Sequence, residues 1–158
     1  MRTKIAVIAA TAITLTGLTI PVASAAVRSA SCGKMSIGQP GNVHVWGEYA
    51  GQVEQIYDSC ADAVSAHWQW STQFQNDHAG ATVTVKISSP YTVASVTTTG
   101  WTSSKNVDTG GIGPHSIPTP DAWQASATVA GCSDWAKGSL WWYGGQDWGQ
   151  QHDSWGCN

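Results

Sequence analysis

Residues 64 to 75 read VSAHWQWSTQFQ, and their chemistry alternates. Val64, Ala66, Trp68, Trp70, Thr72 and Phe74 form a mostly apolar set. Ser65, His67, Gln69, Ser71, Gln73 and Gln75 form a wholly polar one. Successive side chains of an extended chain point to opposite faces, so a period of two marks a strand with one dry face and one wet face. A helix needs apolar residues three and four apart, and this stretch lacks them. Strands of this half-buried kind belong to antiparallel sheets, which can leave one side in water.

The same rule predicts further strands. In NVHVWGEY, Val43 and Val45 alternate with His44 and Trp46, and QVEQIYD is expected to pair with it after a turn at Ala50-Gly51. ATVTVKIS places Val83, Val85 and Ile87 against Thr82, Thr84, Lys86 and Ser88. Asn76 to Gly80 has hairpin composition, with Gly80 able to take a positive φ. YTVASVTT, AWQASATVA and SLWWY complete the set. No segment reads as an amphipathic helix; Ser59 to Ala66 has room only for a short turn. The expected class is all-β, an antiparallel β-sandwich or small barrel. Residues 99–120 and the tail GGQDWGQQHDSWGCN break the rhythm, and so long a loop is either functional or mobile.

The beginning of the chain reads as a secretory leader. Arg2 and Lys4 precede an apolar run, Pro21 breaks it, and Ala23-Ser24-Ala25 offers small residues for cleavage. Residues 1–25 are therefore expected to be a signal peptide, cut after Ala25 or Ala26, with 26–158 a single secreted domain. The remainder holds five basic and ten acidic residues. That balance argues against nucleic acid and anionic lipid as partners, which call for clustered Lys and Arg. Charged residues are 11% of the chain, against roughly 25% in an ordinary soluble protein, so Gly, Ser, Thr, Gln and Ala cover the surface instead.

Cys32, Cys60, Cys132 and Cys157 all follow the leader, and an even count in an exported chain reads as two disulfides. Of the three possible connectivities, Cys32–Cys60 with Cys132–Cys157 closes the shortest loops at each end. No C-x-x-C pair is present to favour zinc. The expected structure is thus a β domain stapled by two disulfides, with no metal and no cofactor.

Ten tryptophans in one small domain ask for an explanation. Trp68, Trp70 and Trp123 share faces with Val64, Phe74 and Val129, so core filling accounts for them. Trp141 and Trp142 are adjacent and must face opposite ways on a strand. Trp46 lies on the side of His44 and Glu48, opposite Val43 and Val45. Trp46, Trp101, Trp142 and Trp148 are therefore the candidate binding residues, expected to expose rings suited to sugar stacking or to anchoring a protein contact.

Motifs for catalysis are missing. The chain has no G-x-S-x-G, no H-E-x-x-H and no phosphate-cradling glycine loop. His152-Asp153-Ser154 are consecutive, but a triad is assembled in space. His44 with Glu48, His67 with Asp77, Glu48 with Glu54 as a carboxylate pair, and Asp147 with Asp153 as calcium ligands are combinations that any such composition permits.

Trp68-Gln69-Trp70-Ser71 followed by Thr82-Val83-Thr84-Val85-Lys86-Ile87 resembles the small secreted bacterial α-amylase inhibitors of the tendamistat type. Those are disulfide-stapled β-sandwiches whose Trp-Arg-Tyr triplet enters the enzyme, and here Gln69 and Trp70 stand in place of Arg and Tyr. The resemblance covers about a fifth of the mature chain and implies inhibition. Taken together, the sequence points to a secreted, extracellular, non-catalytic binding protein, an adaptor, inhibitor or complex subunit acting through protein–protein contacts. Its short polar arm AVRSAS has the character to pair with a partner's sheet edge. A carbohydrate-binding module using exposed Trp rings is the second reading, with a polysaccharide as partner, and a small hydrolase with an unrecognised site is the third.

Overall fold

In the computed structural model the alternating stretch is a strand from Ala63 to Trp70, with Val64, Ala66, Trp68 and Trp70 all facing the core. The structure describes residues 31–157; the signal-peptide reading over residues 1–25, its cleavage after Ala25 or Ala26, and the AVRSAS arm up to residue 30 lie outside them. In chain order the elements are β1 Lys34–Val45, β2 Glu48–Asp58, β3 Ala63–Trp70, α1 Thr72–Asp77, β4 Thr82–Ser88 and β5 Ser95–Trp101. They continue with β6 Asn106–Asp108, β7 Ala122–Val129, β8 Ala136–Lys137, β9 Trp141–Trp142, β10 Gln146–Asp147 and β11 Ser154–Cys157. A single turn of 3₁₀ helix, Pro114–Ser116, precedes β7.

The strands form two sheets. The first runs β11-β1-β2-β3-β6, and the second runs β10-β9-β7-β4-β5 with β8 also on β7. Pairing is antiparallel except between β1 and β11. Val43, Val53, Ala66 and Trp68 of the first sheet join Val83, Val85, Ile87, Trp123 and Ala127 of the second in one buried cluster. The architecture is a two-sheet sandwich, and its bridges are Cys32–Cys60 and Cys132–Cys157.

Several local expectations are corrected. The β1–β2 turn lies at Trp46-Gly47, not Ala50-Gly51; both turn residues have positive φ, 50° and 81°, the primed-turn geometry that matches strand twist. The alternation stops at Trp70 because Ser71 caps a helix, its Oγ accepting the Phe74 N–H at 3.0 Å. Phe74 reaches the core from that helix and not from a strand. Asn76 to Gly80 is therefore no hairpin. It closes the helix and carries the chain from one sheet to the other, since β3 and β4 lie in different sheets. Residues 99–120 are ordered by β6 and by the bridge of Val64 with Ile112.

A partly buried polar pair reaches into the core. The Gln55 amide, 1% exposed, donates to the Tyr143 hydroxyl at 3.2 Å. Burial pushes the Tyr143 hydroxyl well above the ordinary tyrosine range. The folded state thus favours the protonated phenol. Its stabilisation is complete below the unfolded pKa, about 10, and is lost as pH rises towards the folded value. Denaturant midpoints should fall on this alkaline limb, and Tyr143→Phe should flatten the fall.

Candidate functional site

The outer face of the first sheet carries three chemically distinct rows, set side by side by the strand register. The first row is aromatic. His44 on β1 lies opposite Tyr49 on β2, with ring centroids 5.6 Å apart. On its other side Trp155 of β11 stacks on His44 at 3.6 Å, with the ring planes only 3° apart. β11 is the edge strand, so the second face of the Trp155 ring has no strand beside it, and the residue is 60% exposed.

The second row is neutral and amidic. Asn42 of β1 pairs with Gln52 of β2, Gln52 with Gln69 of β3, and Gln69 with Asn106 of β6. Four adjacent strands thus present one carboxamide each in direct register. The inward row next to it, Val53, Trp68 and Val107, is buried. The third row is ionisable: Glu54, His67 and Asp108 on β2, β3 and β6. His67 Nδ1 and Asp108 Oδ1 are 2.7 Å apart.

A β-bulge makes the first two rows share a face. Ala50 and Gly51 of β2 together oppose Val43, and both are buried. On a regular strand Tyr49, three residues before Gln52, would point to the opposite side from Gln52 and Glu54. With the bulge, the Tyr49 hydroxyl faces Gln52 Oε1 at 3.4 Å, and the Gln52 amide donates to Glu54. Partial burial, then the charges of Glu54 and Asp153, raise the Tyr49 hydroxyl above the usual range and keep it a donor. Asn42 is fixed from the β11 side, its backbone N–H and side-chain amide donating to Asp153 Oδ1 at 2.8 and 3.0 Å. Gln69 and Asn106 make no side-chain hydrogen bond to another described residue and stand open to solvent.

Beyond the ionisable row the face dips into an open groove of about 350 Å³, lined by Lys34, Met35, Glu54, Ile56, His67 and Asp108 among others. From Tyr49 to Ile56 the surface runs roughly 20 Å at ~3.3 Å per residue. The groove lining holds two carboxylates, Glu54 and Asp108, against one lysine, Lys34, which disfavours an anionic ligand there.

The residues singled out from sequence fall in different places. Trp46 is 68% exposed at the tip of the β1–β2 turn. Its N–H donates to the Cys157 carbonyl at 2.8 Å, and its ring lies 5.6 Å from that of His78. A positive φ is a costly backbone for so large a residue. Trp101 is 57% exposed but belongs to β5 of the second sheet. Trp142 and Trp148 are not exposed as the sequence predicts; both are half-buried, because they stack on one another at 5.8 Å. The structure brings that pair together near Tyr91, on the other sheet and apart from Trp46. Trp155 and Tyr49 were missed. The lone clue to Trp155 was its place two residues before the bridged Cys157.

The other ionisable pairings also resolve. Glu48 pairs with His78 at 2.9 Å, not with His44, and His67 pairs with Asp108, not with Asp77. Asp153 is engaged by Asn42 and Gln151, and Asp147 accepts the Gly149 N–H at 2.7 Å. Among the described residues no group of three or more His, Cys, Asp or Glu is arranged to hold a metal ion. The Trp68 and Trp70 rings that an inhibitor-like triplet would present are 0% and 2% exposed, leaving only Gln69 outside.

Fold and site together define a disulfide-stapled β-sandwich with a row-patterned sheet face. No family model matches the chain, and neither a curated protein nor a solved structure shows a significant match to it. The two bridges fit an oxidising, extracellular environment. Among the described residues no helix is long and apolar enough to cross a membrane.

Proposed function

We propose that this chain is a secreted binding protein that works by contact and not by turnover, and that the outer face of the first sheet is its contact surface. The observation that carries the reading is the register itself. It collects two exposed rings, four carboxamides and an ionisable groove on one face. Recognition surfaces combine large aromatic anchors with directed polar groups in this way, whereas a face kept only for solubility needs neither.

The test is a Tyr49→Ala, Trp155→Ala double variant beside Trp101→Ala on the other sheet. Retention of extracellular partners from the source culture, protein or polysaccharide, should fall at least about tenfold for the double variant alone. Both variants should melt like the parent, because exposed substitutions are usually worth within about 0.5 kcal/mol. Unchanged retention by the double variant would refute the assignment of this face.

One observation favours hydrolysis as a second reading. His67 Nδ1 is held by Asp108, and Ser65 lines the same groove. Nucleophilic hydrolysis uses those three residue types. Against it, no described hydroxyl bonds to His67, and the Asp108 side chain is 62% exposed. Turnover of a chromogenic ester abolished by His67→Ala would promote it.

A further inference from the structure

Within this contact-surface reading, on which the inference rests, we infer that the ligand is a neutral, extended, β-linked polysaccharide lying across the strands along Asn42, Gln52, Gln69 and Asn106. The argument is one of spacing. Adjacent strands lie 4.7–4.9 Å apart, so the four amides repeat at about that step. An extended β-linked pyranose chain advances by a nearly equal step per sugar. Each sugar can then meet one carboxamide, which both donates and accepts and so suits a hydroxyl. An extended peptide has no such match. Its same-side residues recur every ~6.7 Å, two rises of about 3.3 Å.

The flanking rows agree with this ligand. On one side Tyr49 and Trp155 offer ring surface for the apolar faces of sugars. On the other, Glu54 and Asp108 are acceptors for hydroxyl protons. The amide row carries no charge, so binding draws little on ion pairing and should vary weakly with salt, unlike binding of a charged polymer. The row spans four strands, so it accommodates about four sugars.

The experiment is calorimetric titration of the full secreted chain with cello-oligosaccharides and with maltohexaose, whose α-linked chain curves. Cellotetraose and cellohexaose should bind within about twofold of each other, and cellobiose at least roughly tenfold more weakly. Maltohexaose should show no binding. Gln69→Ala with Asn106→Ala, both exposed positions, should weaken the hexamer about tenfold without moving the melting temperature. Equal binding of the α- and β-linked hexamers, wild-type affinity in the double amide variant, or no binding of any glucan would overturn the inference. In the last case the Tyr49→Ala, Trp155→Ala variant separates the two failures. If it still sheds a protein partner, the face stands and the ligand class is wrong; if it sheds nothing, the face is wrong as well.

Discussion

Replacing Trp123 by alanine is expected to lower the free energy of unfolding by about 3–5 kcal/mol, the largest loss anticipated for any single tryptophan exchange in this protein. Trp123 is 0% exposed on β7, the strand on which β4, β8 and β9 all pair. Its indole N–H donates to the Pro114 carbonyl at 2.9 Å in a buried setting. Truncation therefore opens a cavity and strips a buried carbonyl of its partner at once. Trp123→Phe separates the two effects. It keeps most of the volume and still loses the hydrogen bond, at a cost of about 1–3 kcal/mol. A domain of ordinary stability, roughly 5–15 kcal/mol, would be left marginal by the alanine variant and folded by the phenylalanine variant. Chemical denaturation of both checks the order. A Trp123→Ala loss under 1 kcal/mol, on the order of an exposed exchange, would mean the sheets do not close over this ring.

The two disulfides should contribute alike to stability and unlike to binding. They span 28 and 25 residues. Loop-closure entropy then assigns each ~3–4 kcal/mol, and removing either by paired Cys→Ala exchange should cost about that much. Their places in the fold differ. Cys157 ends β11, the four-residue edge strand that carries Trp155 and lies parallel to β1. Without its bridge to Cys132, that short strand depends on its ladder to β1 and on the backbone bonds of Cys157 to Trp46 and of Gly156 to Ser133, and the Trp155 ring sits less firmly on His44. Cys32 and Cys60 flank the far ends of β1 and β2, away from the aromatic row. Ligand affinity, measured below the transition of each variant, should thus drop several-fold for Cys132–Cys157 removal and stay near wild type for Cys32–Cys60 removal. Equal losses from both would show that the aromatic row is not positioned by the tail.

Much of the sandwich is legible in the alternation. Val83, Val85 and Ile87 face inward as their period demands, as do Val64, Ala66, Trp68 and Trp70. The bridge pairing follows from loop length in the same direct way. The candidate face is far less legible, for physical reasons. Strict alternation puts Tyr49 with Val53, and only the bulge at Ala50-Gly51 returns it to the side of Gln52. Parallel pairing of the tail with β1 leaves no local pattern in SWGC, so Trp155 reads as loop. Ser71 is one of the polar residues in the even rhythm of 64–75, and only its hydroxyl capping the next turn reveals that the strand has ended. Asn76 to Gly80 misleads because hairpin turns and helix ends draw on the same residues. Adjacent Trp141 and Trp142 imply one outward ring, but Trp148 returns from the tail to cover Trp142.

Titrating isotope-labelled protein with cellohexaose and following side-chain amide and indole signals by nuclear magnetic resonance probes the contact face most directly. Asn42, Gln52, Gln69, Asn106 and Trp155 are expected to shift together, with Trp101, Trp142 and Trp148 unmoved. Shifts centred on those three rings, with the amide row silent, would contradict the assignment.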